Sequence, residues 1–135
     1  MILIVDDNIW FIATMHGILS ERGYRFEIAM NGDEAIALTL DHGQRYAIAL
    51  IDVDLKSNLS GIDVVRLIRA NPDSAKANVP VVMITGVAEI DSKLVDELHL
   101  SGVLYKPFLI ADLITAIKTN TRYPLTPETK KDENP

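Results

Sequence analysis

The chain has 135 residues, with 13 Lys and Arg against 19 Asp and Glu, for a formal net charge of −6. That length allows one ordinary domain, and the acidic balance argues against nucleic acid binding, because phosphate backbones need a basic footprint. Hydrophobic residues at 48% can fill a core, and the absence of cysteine excludes disulfides, thiolate metal sites and cysteine nucleophiles.

The first apolar run, Ile2–Val5, reads as a strand covered on both faces. It is too short for a membrane helix, which needs roughly 20 apolar residues, and it meets two carboxylates without the basic start of a signal peptide. A cytoplasmic protein with no membrane insertion is expected. Phe11, Ile12, Met15, Ile18 and Leu19 then share one face of a helix that Gly23 ends. Tyr24-Arg25-Phe26-Glu27-Ile28 alternates apolar and polar residues, which predicts a strand at a sheet edge. Asn31-Gly32 forms a turn before a second helix over 33–40, with Ala35, Ile36 and Leu40 available for packing. Residues 47–51 are a second continuous apolar strand.

Ser60 or Gly61 opens a third helix, with Ile62, Val65 and Ile68 inward, ending before Asn71-Pro72. Residues 79–84 and 103–105 complete the set of buried strands. Between them, 91–98 reads as a weaker helix carrying Leu94, Val95 and Leu98. A last helix over 109–119 places Leu109, Leu113, Ile114 and Ile117 on one stripe. Residues 124–135 hold three of the six prolines and no apolar period. The expected organisation is one domain over 1–121 and a flexible tail over 122–135.

Five strand-helix units in this length predict an α/β fold: a doubly wound five-stranded parallel sheet with helices on both faces, flavodoxin-like rather than six-stranded. No Gly-x-Gly-x-x-Gly follows the first strand, so a dinucleotide is not expected.

Ligands of such sheets bind outside the carboxyl ends of the strands. Those ends carry Asp6 and Asp7, then Asp52 with Asp54 nearby, then Thr85-Gly86, then Lys106-Pro107. Two carboxylates ~4 Å apart repel by about 4 kcal/mol at an effective dielectric near 20, and Lys106 supplies one compensating charge. A hard cation is the natural supplement. Mg²⁺ takes oxygen ligands, with Asp7 and Asp52 as direct ligands and Asp6 acting through water. An aspartate can attack phosphorus, and the remaining groups suit phosphoryl transfer: Lys106 and the Thr85 hydroxyl would neutralise the migrating oxygens, with Gly86 leaving room. Plainer readings compete: Asp6, Asp7 or Asn8 as a helix cap, Thr85 as a turn residue, Asp54 and Lys106 as solvated charges. What favours a site is that all four strand ends carry the required type.

That ordered set resembles the response-regulator receiver domain of two-component signalling. The matching pieces are Ile-Leu-Ile-Val-Asp6-Asp7-Asn8, Ala-Leu-Ile-Asp52 with Gly61 and Arg69 following, Val-Val-Met-Ile-Thr85-Gly86, and Tyr-Lys106-Pro107-Phe108. The resemblance implies strand order 2-1-3-4-5 and makes Asp52 the phosphoacceptor. It makes Asp6 and Asp7 the acidic pair, with Mg²⁺ contacts from Asp7, Asp52 and the main-chain carbonyl of Asp54. Thr85 becomes the switching hydroxyl, and Lys106 precedes a cis proline. A histidine kinase or phosphotransfer protein would be the donor. A downstream protein would bind the face of the fourth helix, fifth strand and fifth helix. The role is signalling rather than enzymatic, with at most Mg²⁺-dependent self-phosphorylation and autodephosphorylation.

Two departures stand out. The loop after Asp52 lacks the usual proline and is longer than the commonest form, and the switch aromatic, expected three residues before the lysine, falls on Val103. Tyr105 is expected to alternate away. The start at Met1 suggests a receiver excised from a longer protein. Two alternatives compete with this reading. A haloacid-dehalogenase-like phosphatase would use Asp52-Val-Asp54 but has its acidic pair last in the chain. A receiver-like module that no longer accepts phosphate would keep the fold alone.

Overall fold

A computed structural model describes residues 1–86 and 89–125. Its sheet has five parallel strands in the order β2-β1-β3-β4-β5: β1 (Ile2–Val5), β2 (Phe26–Ala29), β3 (Ile48–Asp52), β4 (Val81–Thr85) and β5 (Gly102–Tyr105). Five helices connect or follow the strands: α1 (Ile9–Glu21), α2 (Gly32–His42), α3 (Gly61–Arg69), α4 (Ser92–Leu98) and α5 (Ile110–Asn120). A 3₁₀ turn at Gly43–Arg45 and a helical turn at Ser74–Ala77, neither expected from the sequence, fill the approaches to β3 and β4. Asp73 caps the latter by accepting from the Ala75 N–H. No helix among the described residues is long and apolar enough to cross a membrane.

The continuous apolar runs of β1, β3 and β4 follow from burial on both faces. Leu3, Val5, Ala49, Ile51, Val81 and Met83 point into a cluster with Ala35, Val64, Val65, Ile68 and Leu98. Their neighbours Ile2, Ile4, Ile48, Leu50, Val82 and Ile84 point the other way, onto Met15, Leu19, Leu113 and Ile117. One layer is therefore α2, α3 and α4, the other α1 and α5. The alternating segment forms the edge strand β2, as its pattern predicted, although pairing begins only at Phe26. Gly23, at φ 72°, turns the chain out of α1 first.

Two helix readings are corrected. Leu40 is 52% exposed, and Thr39 takes the buried position instead, its hydroxyl donating back to the Ala35 carbonyl at 2.8 Å. Leu109 is 70% exposed because it is the N-cap of α5, outside the helical stripe. The packed body continues past α5. The Arg122 guanidinium donates to the carbonyls of Gly43, Tyr46 and Ala75, and Leu125 packs against the α1–α5 cluster. Of the expected tail, 126–135 lies outside the described residues.

One polar junction joins β2 to its neighbours. The fully buried Tyr46 donates its hydroxyl to Glu27 Oε1 at 2.6 Å, and His42 Nδ1 lies 2.9 Å from the same oxygen. Burial by itself would raise the Glu27 carboxyl, but the hydrogen bonds from Tyr46 and His42 outweigh it and hold the carboxyl below its ordinary range. A lowered carboxyl stabilises the fold above its unfolded pKa and loses that contribution as pH falls. Tyr46→Phe is expected to cost about 1–3 kcal/mol near neutral pH. Urea denaturation at pH 7 and again below about pH 4 checks this, and the deficit should shrink in acid.

Candidate phosphoacceptor site

β1 and β3 are adjacent, yet their following helices cover opposite faces, so a crevice opens between their carboxyl ends. The register pairs Val5 with Ile51, which sets Asp6 beside Asp52. Of the three candidates for the cap of α1, Asn8 takes the place rather than Asp6 or Asp7, accepting from the Phe11 N–H at 3.1 Å. Asp6 accepts from the Asn8 N–H at 2.9 Å and is almost fully buried. Asp7 accepts from the Lys56 N–H at 2.9 Å, a contact that ties the β3–α3 loop to the acidic pair.

Asp52 ends β3 with 5% exposure and accepts from the Asp54 N–H at 3.3 Å. Oxygens of Asp6, Asp7 and Asp52 all lie within 4.8 Å of one another. This all-oxygen set fits a hard divalent cation, because three carboxylates at that spacing share more negative charge than one lysine offsets. The Asp54 side chain stands outside the trio. It faces Thr85, whose hydroxyl lies 3.5 Å from Asp54 Oδ2.

Lys106 enters from β5. Its ammonium is 3.0 Å from Asp6 Oδ2 and 4.0 Å from Asp52 Oδ1, with Phe11 beneath it at 4.2 Å from the ring centroid. The Lys106–Pro107 peptide is cis. Asp7, Asn8, Asp52, Asp54, Lys56, Gly86 and Lys106 line one open depression of about 250 Å³. Thr85, fully buried at the end of β4, meets the site through its contact with Asp54. A Cβ built on Gly86 would lie 3.7 Å from the Lys106 side chain, ordinary contact, so alanine also fits there.

The sequence missed three parts of this arrangement. The Lys56 amide and the Phe11 ring carry no motif that marks them. Gly61 appeared as a helix opener and as a piece of the resemblance, with no contact assigned to it, but a Cβ there would lie 2.1 Å from the Asp52 carbonyl oxygen. Only glycine allows the start of α3 to press against the Asp52 peptide. Its spacing from Asp52 in the sequence was visible; its contact was not.

Burial raises the Asp52 carboxyl to about 6, assisted by the neighbouring Asp6 charge and opposed by the Asp54 amide and Lys106. A raised carboxyl favours the fold below its unfolded pKa, and that contribution disappears as pH climbs through about 6. Without divalent cations, Asp52→Asn is therefore expected to stabilise the protein by about 1–3 kcal/mol at pH 7, with the gap closing toward pH 4. Denaturation in EDTA at the two pH values checks it. Gly61→Ala should cost about 1–3 kcal/mol by overpacking, and amide shifts at Asp52 and Val53 should move in the same variant.

The profile of the response regulator receiver domain matches residues 2–118. A transcriptional regulatory protein of Haemophilus influenzae, a CpxR homolog, is 35% identical over 127 residues, covering 93% of this chain and 52% of that protein. The chain thus spans about half the length of such curated relatives. Among solved structures, Vibrio cholerae chemotaxis protein CheY4 superposes with TM-score 0.77 at 26% identity, covering 88% of this chain and 96% of that one. The receiver domain of sensor histidine kinase PA1611 from Pseudomonas aeruginosa gives TM-score 0.74 at 28% identity, covering 87% and 93%, and that structure carries a magnesium ion in its active-site cleft. By sequence and by architecture, the chain belongs to the response regulator receiver domain family.

Proposed function

We propose that this chain is the phosphoacceptor of a cytoplasmic two-component phosphorelay, taking a phosphoryl group on Asp52 and changing its protein contacts as a result. The single observation that carries the reading is the placement of Asp52. A nearly buried carboxylate opens into a depression beside Asp6 and Asp7, with the Lys106 ammonium 4.0 Å away and paired to Asp6. A buried anion in such company is costly unless its environment is arranged for further charge.

Asp7 and Asp52 would hold Mg²⁺ directly, Asp6 through water and Asp54 through its main-chain carbonyl. A bound ion would supply neutralisation of charge on phosphoryl oxygens. The chain's own residues do the rest. In transfer from a phosphohistidine, an Asp52 oxygen forms the new O–P bond, the N–P bond breaks, and the imidazole keeps the electron pair and later takes a proton. Lys106, now engaged with Asp6, would pair with an oxygen of the incoming group. Thr85 would turn its hydroxyl from Asp54 toward another.

The donor, a histidine kinase or phosphotransfer protein, must bring its histidine to the mouth of this depression. Ile9 and Trp10, exposed in the first turn of α1 directly after Asn8, would offer it apolar contact. The response would be read by a downstream protein on the face of α4, β5 and α5. Adding about −1.5 to −2 charges among carboxylates forces rearrangement there, and the chain itself would contact no nucleic acid.

Incubation of the chain with Mg²⁺ and acetyl phosphate should add one phosphoryl group by intact mass. Asp52→Ala should abolish the gain, removal of Mg²⁺ should prevent it, and Lys106→Ala should slow it by about a hundredfold, the loss seen when one charge-stabilising group is deleted. A mass gain that survives Asp52→Ala would overturn the assignment.

A further inference from the structure

Tyr105 does something the sequence did not lead us to expect. Residues two apart on a strand share a face, so Tyr105 lies on the side of Val103 and does not alternate away from it. Leu104 between them packs into the α1–α5 cluster, which turns Val103 and Tyr105 toward the α4 layer. There the Tyr105 hydroxyl accepts a hydrogen bond from the Ile90 N–H at 3.2 Å.

Ile90 immediately precedes Asp91, the N-cap of α4, whose side chain accepts from the Lys93 N–H at 2.8 Å. The Ile90 side chain packs with Leu94 and Val95 against the same core cluster. The phenol therefore holds the first turn of α4 from outside. Its backbone is tied just as closely to the site. Tyr105 pairs opposite Thr85 in the sheet, and the Lys106 N–H donates to the Thr85 carbonyl at 2.7 Å. With 47% exposure, the ring also contributes to the surface that α4, β5 and α5 present.

Building on the phosphoacceptor reading, we propose that Tyr105 is the positioning residue linking Thr85 to α4: its hydroxyl holds the start of α4 in the resting state and lets go when Asp52 carries phosphate, changing the face offered to a partner. A single hydrogen bond of this kind biases such an equilibrium by about two- to tenfold. That is enough to tip two arrangements of similar energy, and too little to lock either one.

The test is ¹⁵N amide spectroscopy on the full chain and on Tyr105→Phe and Asp52→Ala, each with and without Mg²⁺ and beryllofluoride as the phosphoryl probe. In the resting state, Tyr105→Phe should move the Ile90 amide upfield and speed its hydrogen exchange about two- to tenfold, leaving the amides of β1 and β3 in place. Added beryllofluoride should carry the wild-type Ile90 amide toward its position in Tyr105→Phe. It should bind that variant about two- to tenfold more tightly, because the resting state has lost its clamp, and Asp52→Ala should show no response. Response of Val53 and Asp54 to the probe while Ile90 stays protected would overturn the proposal and leave the phosphoacceptor reading standing. No response at Val53 and Asp54 would overturn that reading, and the role of Tyr105 with it.

Discussion

Two carboxylates held side by side out of water are the constraint around which the carboxyl end of this sheet is organised. Asp6 and Asp52 face each other across the β1–β3 crevice because parallel pairing brings the strand ends level. Their repulsion is met by near neighbours, namely the Lys106 ammonium and the amides of Asn8 and Asp54. None of these removes the charge imbalance. The Asp52 carboxyl is left with a raised proton affinity, and the trio of oxygens is left open to a cation. The cation site and the proposed phosphoryl acceptance would then be two consequences of one electrostatic arrangement.

The opposite end of the molecule is arranged for rigidity. Arg69 donates to the carbonyls of Ala77, Val79, Leu98 and His99, and Arg122 to those of Gly43, Tyr46 and Ala75. These carbonyls lie at helix ends and in the turns that lead into strands, where the backbone offers few partners of its own, although Gly43 also accepts from the Tyr46 N–H. Burial lowers the proton affinity of both guanidinium groups, and for Arg69 the nearby Arg122 charge adds to this. Even so, an arginine remains charged at any ordinary pH. With this pole held by hydrogen bonds, the proposed rearrangement would fall at the site end, where Thr85, the start of α4 and Tyr105 meet.

The two edges of the sheet differ in a way that suits these roles. β2 is sealed by the Tyr46–Glu27–His42 junction under α2. β5 leaves Tyr105 half in solvent and bonded to Ile90. A side chain with one partner in the protein and one side in water can exchange the first for a partner molecule, whereas the buried Tyr46 cannot.

The sequence by itself determined the layered fold and most of the site, because both are written in local patterns. Runs such as Ile2–Val5 are apolar throughout only when both faces are covered. The polar residues directly after them must then emerge at one end of the sheet. Helix boundaries erred where a cap competed with periodicity, as at Leu109, or where a hydroxyl satisfied itself and took the inner position, as at Thr39. What only the tertiary structure decided were contacts between segments far apart in the chain. They include Phe11 under Lys106, the Lys56 amide on Asp7, Gly61 against the Asp52 carbonyl, and the Tyr105 hydroxyl on Ile90. Each depends on distances between elements that packing sets, and no local spacing along the chain encodes them.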